Sequence, residues 1–146
     1  MILPDFKAFP RMGRIIGLDW GARRIGVAVS DPRREFVFAR DLIPGGADAS
    51  HRIADFVRTE RAVGVIVGLP LHADGTPSDT TRAVRAFADE LTSNIDVPIC
   101  FVEENLTSVA AQESMGKVRR RDIKEKLDSL SARVILENAI AMINRA

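Results

Sequence analysis

The sequence predicts an α/β fold in which one mixed β-sheet, opened by an antiparallel meander and completed by strand-helix-strand units, is covered by helices. Three observations point to it. Short apolar runs separated by turn residues occupy the chain up to Ala39, as in a hairpin meander. The apolar period then switches between the helical and the strand value, which is the signature of strand-helix-strand crossovers. Finally, 146 residues with 46% hydrophobic and 28% charged side chains make one globular domain, not two. A chain of this length buries about 68–70% of its unfolded surface. We find no internal repeat, low-complexity tract or linker.

Taken in order, residues 1–11 carry two prolines and no period, so they are expected to form a flexible N-terminal arm before a single domain spanning 12–146, with Met12 an alternative start. Asp5, Lys7, Pro4 and Pro10 interrupt what an export signal would need as an apolar core. Arg14-Ile15-Ile16-Gly17-Leu18 is a buried strand ending at Asp19, Ile25 to Val29 a second, stopped by Ser30-Asp31-Pro32, and Phe36 to Ala39 a third. Ala49, Ile53, Phe56 and Val57 share a helix face, followed by the strand Val63–Val67, closed by Gly68 and Pro70. From Ser78, the residues Val84, Phe87, Ala88, Leu91 and Ile95 form the clearest amphipathic stripe. Pro98 to Val102 is a fifth strand. Thr107 caps a short helix with Val109 and Ala110, closed by Gly116, and a final helix begins at about Lys126 with Leu127, Leu130, Val134, Ile135, Ala139 and Met142.

Charge is unevenly distributed along the chain. The net charge of +1 divides into +3 for residues 1–41, −5 for 42–104 and +3 for 105–146. Within the last segment, Lys117, Arg119, Arg120, Arg121, Lys124 and Lys126 crowd ten positions, a run suited to a polyanion and expected to be a mobile loop that orders on nucleic acid. Arg23 and Arg24, just after the first strand, are further candidates for phosphate contact. Only one cysteine, Cys100, is present, which excludes an internal disulfide and suits a reducing, cytoplasmic setting. No apolar run approaches the roughly 20 residues of a membrane-spanning helix, so no membrane partner is expected.

Acidic residues sit where ligands bind in open α/β sheets, at the carboxyl ends of the strands. Asp19 ends the first strand and Glu104 the fifth, while Asp128 lies in the first turn of the expected last helix. Each has a plain structural alternative, as a turn, cap or helix-dipole residue. Converging carboxylates repel unless a cation lies between them, and Mg²⁺, a hard ion usually held by one or two carboxylates plus substrate phosphates, suits the set, with Mn²⁺ as a substitute. Two such ions about 4 Å apart clamp the attacking and leaving oxygens of an in-line displacement on phosphorus. Asp74, beside Gly75, is either a fourth ligand or a turn residue. Gly68 in Gly68-Leu69-Pro70-Leu71 is either a plain strand exit or a point of close approach. His51 and His72 lack the neighbours of a zinc site, Cys100 reads as a small core hydrophobe, and Trp20 either stacks on a base or packs half-buried.

Four motifs in order, Asp19-Trp20-Gly21 with Arg24-Ile25-Gly26-Val27-Ala28, Val67 to Leu71 with Asp74-Gly75, Glu103 to Ser108, and Lys126-Leu127-Asp128-Ser129 with Ala132, resemble those of the YqgF/RuvX family, over about Met12 to Ile143. The resemblance implies a ribonuclease H-like fold with a mixed five-stranded sheet of order 3-2-1-4-5. It also implies metal-binding catalytic acids at Asp19, Glu104 and Asp128, and a nuclease acting on the 5′ end of pre-16S ribosomal RNA or on Holliday junctions. The implied partners are pre-rRNA or branched DNA and, through the former, ribosomal particles, with the chain a monomer or homodimer. A non-catalytic assembly factor with the same fold is the alternative from another class. The family's arginine after the second acid is replaced here by Asn105, which brings a hydrogen bond without charge. An actin-like phosphotransferase shares the fold and an Asp-x-Gly loop but needs a second domain to enclose its nucleotide.

Overall fold

The computed structural model describes residues 1–104 and 120–146, with backbone alone for 120–130. Six strands form one sheet: β1 (Ile2–Leu3), β2 (Ile15–Asp19), β3 (Arg24–Ser30), β4 (Val37–Pro44), β5 (Gly64–Pro70) and β6 (Ile99–Glu104). Helices α1 (Ala49–Glu60), α2 (Asp79–Thr92) and α3 (Arg120–Arg145) complete the described elements. The order across the sheet is β1-β6-β5-β2-β3-β4. β2, β3 and β4 form the antiparallel meander, while β2, β5, β6 and β1 run parallel. The expected order 3-2-1-4-5 describes the five longer strands, and the correction is a sixth at the edge beyond β6.

That sixth strand comes from the N-terminal segment, expected to be a flexible arm. Instead Ile2 and Leu3 pair in parallel with Ile99 and Cys100. Phe6 and Phe9 are buried with their rings edge to face at 5.9 Å, and Phe9 lies over Gly64. The Arg11 guanidinium donates to the carbonyls of Ile143 at 3.5 Å and Ala146 at 2.9 Å. Two aromatic side chains burying their area outweigh the two prolines, which merely break the period.

Both faces of the sheet are covered, and the alternation of each strand sorts its side chains between them. Leu18, Val27, Val29, Val65, Val67 and Ile99 face α1 and α2, forming one core with Ile53, Val57, Val84, Phe87 and Leu91. Ile15, Ala28, Ile66, Cys100 and Val102 face α3 and pack with Ala132, Ile135, Leu136 and Ala139. At Gly17 a Cβ would come within 2.8 Å of Leu136 Cβ and 3.0 Å of the Ala132 carbonyl, so glycine there lets α3 lie directly on the sheet. Among the described residues, no helix is long and apolar enough to cross a membrane.

Two other boundaries differ from expectation. β4 continues past Ala39 to Pro44 because Arg40 and Asp41, which break the apolar pattern, are exposed and tolerated on an edge strand. α3 begins at Arg120 and not near Lys126, so the expected loop is partly helix, in keeping with the good helix propensity of Arg, Lys and Glu. The short helix expected at Thr107–Gly116 lies outside the described residues.

Candidate active site at the carboxyl edge of the parallel strands

β2, β5 and β6 deliver their carboxyl ends to one edge of the sheet. Leu18 pairs with Val67, which makes Asp19 level with Gly68; Gly68 in turn pairs with Val102, and Pro70 with Glu104. Partners in register share a face, and residues two apart along a strand share it too. Asp19, Gly68 and Glu104 therefore all project toward α3. Their strands are two spacings apart, about 9–10 Å at the backbone. The Glu104 side chain closes much of that gap. Its Oε1 lies 2.9 Å and its Cδ 3.2 Å from where a Cβ of residue 68 would stand, so the carboxylate leans over Gly68 toward the β2 side. Its other oxygen, Oε2, is buried from solvent. Asp19 and Glu104 are each half-buried and engaged with neighbours.

Asp128 belongs to α3, one helical turn before Ala132, and its side chain lies outside the described residues. Ala132 abuts Gly17, while the far end of α3, at Ile143, meets Arg11. The backbone of α3 thus runs from the Asp19 end of β2 toward its start, and position 128 lies at the Asp19 end. Among the described residues no cluster of three metal-ligating side chains is present, Asp128 not being among those described.

The other candidates separate clearly. Arg23 is exposed in the β2–β3 hairpin, whose backbone is fastened to the end of β4 by the Gly45 N–H donating to the Arg23 carbonyl at 2.9 Å. Arg24 is half-buried and already engaged. Arg120, Arg121, Lys124 and Lys126 stand in the first two turns of α3, and their side chains, together with the whole of Lys117, Arg119 and Asn105, lie outside the described residues. Trp20, on the opposite face to Asp19, packs against Phe87 at 6.5 Å in the α1/α2 core, which favours its half-buried reading. Asp74 serves its own loop: its Oδ1 accepts from the Thr76 N–H at 3.0 Å and hydroxyl at 2.6 Å, and the Thr76 hydroxyl bond is the leading cause holding its carboxyl below the usual range.

One supporting residue escaped the sequence reading. Ser78 and Thr81 form a reciprocal capping box at the start of α2, and the buried Thr81 hydroxyl also donates to the Pro70 carbonyl at the exit of β5. The signal was available in the Ser-x-x-Thr spacing before an apolar stripe.

The fold agrees with that of known proteins. The chain is 36% identical over 132 residues to a "Putative pre-16S rRNA nuclease" of Maridesulfovibrio salexigens, covering 88% of this chain and 98% of that protein. It is 38% identical over 130 residues to a protein of the same name from Roseiflexus sp., covering 86% and 92%. Among solved structures, RuvC of Thermus thermophilus in complex with Holliday junction substrate aligns with a TM-score of 0.55 at 13% identity, covering 88% of this chain and 93% of that one, a likeness of fold. The family model described as "RuvX: Holliday junction resolvase" matches residues 13–142, and the chain belongs to that family, with a ribonuclease H-like fold.

Proposed function

We propose that this chain is a divalent-cation-dependent endonuclease that hydrolyses phosphodiester bonds in structured nucleic acid and acts on the 5′ end of pre-16S rRNA, in the cytoplasm and on assembling ribosomal particles. The observation that carries the reading is the convergence of Asp19 and Glu104 on one face of the carboxyl edge, with the Glu104 carboxylate leaning over Gly68. The choice of RNA rests on the relatives named pre-16S rRNA nuclease.

The residues fit a hard cation: the donors are carboxylate oxygens, and one of Glu104's is held out of bulk water. Asp19, Glu104 and Asp128 would hold it, as Mg²⁺ or Mn²⁺. When bound, such an ion supplies Lewis-acid polarisation of the phosphoryl group and lowers the pKa of water. The protein's own contribution is placement. Asp19 is fixed at the end of a strand buried up to Leu18, and β5 between the two acids is anchored at its exit by Thr81. Two carboxylates alone repel a phosphodiester, so productive approach needs compensating positive charge. Arg23, Arg24 and the run Lys117, Arg119, Arg120, Arg121, Lys124 and Lys126 are proposed to hold backbone phosphates flanking the scissile bond.

A second reading, cleavage of Holliday junctions, is favoured by the family's description. Incubating labelled pre-16S rRNA 5′ ends beside a four-way DNA junction, each with Mg²⁺ or with EDTA, separates these. RNA cleaved only with Mg²⁺ supports the first reading and a cleaved junction alone the second. Binding without cleavage under either condition identifies a non-catalytic assembly factor.

A further inference from the structure

Gly68 lies inside β5, not in a turn, and a glycine in a strand interior costs stability unless something approaches closely. Here two things do. A Cβ at this position would stand 2.5 Å from Ile135 Cδ1 on α3 and 2.9 Å from Glu104 Oε1 on β6. The first contact is the far end of a flexible side chain and belongs to core packing. The second belongs to the site. Because Glu104 is in register with Pro70, two residues beyond Gly68, its carboxylate reaches the strip above Gly68 only by leaning diagonally across β5. Asp19 stands level with Gly68 on the other side, so that strip is the ground between the two acids.

We propose that Gly68 is a positioning residue for Glu104: the missing side chain leaves the space through which the Glu104 carboxylate reaches toward Asp19. Any larger residue at 68 pushes the carboxylate back over β6, away from β2. Octahedral Mg²⁺ holds its ligands at about 2.0–2.1 Å, so carboxylates sharing one ion tolerate little separation. The proposal rests on the reading of Glu104 as a metal ligand, and the test distinguishes the two.

The test is Mn²⁺ titration of the full chain without nucleic acid, with thermal melting alongside, for Gly68→Ala, Ile135→Val, the two combined, and Glu104→Gln. Ile135→Val removes the methyl that a Cβ at 68 would strike, so the double variant relieves the packing clash while leaving the clash with Glu104, even if Gly68→Ala alone folds poorly. The expected result is that Ile135→Val binds Mn²⁺ as the parent does, while the double variant melts close to Ile135→Val yet binds Mn²⁺ about 10–100-fold more weakly, the loss typical of disturbing the support of a ligand. Parent-like binding by the double variant together with defective binding by Glu104→Gln overturns the positioning role alone. Parent-like binding by Glu104→Gln overturns the ligand reading and the positioning role with it.

Discussion

Asp19 and Trp20 are adjacent, yet the pleat sends one to the α3 face and the other into the α1/α2 core, where Trp20 meets Phe87. The same alternation decides the chemistry of Cys100. Facing α3 at 2% exposure, its thiol is pushed up to about 11, chiefly by burial. The native protein is therefore expected to resist alkylation by iodoacetamide at pH 8 and to react once unfolded in urea, as mass spectrometry would show; rapid native labelling contradicts this. A thiol whose value is raised on folding favours the folded state below its unfolded value near 8.5, and that contribution declines as pH climbs toward 11. The positions of Asp19 and Glu104 were legible at this scale because each ends an apolar run, where strand exits and ligand crevices coincide. The closeness of Glu104 to Gly68 was only half legible: the glycine stood out, but which neighbour fills its space depends on strand register, which no single strand encodes.

At the scale of elements, α2 and the start of α3 carry distinct predictions. Ser78→Ala removes one half of the capping box that begins α2 and is expected to cost about 1 kcal/mol in denaturant unfolding. Thr81→Val removes the other half and also the hydroxyl that holds the Pro70 carbonyl, so it is expected to cost more and to reduce cleavage as well. Equal effects of the two would mean that Thr81 acts on α2 alone. For the basic run, neutralising Arg120, Arg121 and Lys124 together is expected to weaken nucleic-acid binding across all sequences and to lower the salt slope by about 0.7–0.9 for each phosphate that is no longer neutralised. An unchanged slope would return these residues to a solvated surface. Sequence alone located α2 through its apolar stripe, but placed the start of α3 about two turns late. Arg120 to Lys126 offer almost no apolar period, so only the good helix propensity of Arg, Lys and Glu could have marked them as helical.

Across the whole molecule, the N-terminal segment ties distant parts together. Its strand extends the sheet beyond β6, Phe9 lies beneath the Arg34 guanidinium at 6.0 Å, and Arg11 grips the end of α3. Phe9→Ala is expected to destabilise the protein by about 3–5 kcal/mol, measured by chemical denaturation, and a chain begun at Met12 is expected to melt at lower temperature than the full chain. Retention of full stability would mean that the segment merely rests on the surface. This was the largest departure from the sequence reading, because two-residue strands leave no period and the partner of Phe9, Gly64, is 55 positions away. The meander and the parallel strands were legible, since apolar runs and the turn residues that end them are local features. The central claim is that Asp19 and Glu104 act together at that edge as cation ligands of a nuclease. The most direct measurement is the rate of Mg²⁺-dependent cleavage of labelled pre-16S rRNA by the parent, Asp19→Asn and Glu104→Gln, with melting temperatures recorded in parallel. Cleavage is expected to vanish in both variants and in EDTA, while each variant melts at the parent temperature or above because like-charge repulsion is relieved. Cleavage that persists in EDTA, or in either folded variant, would contradict the account.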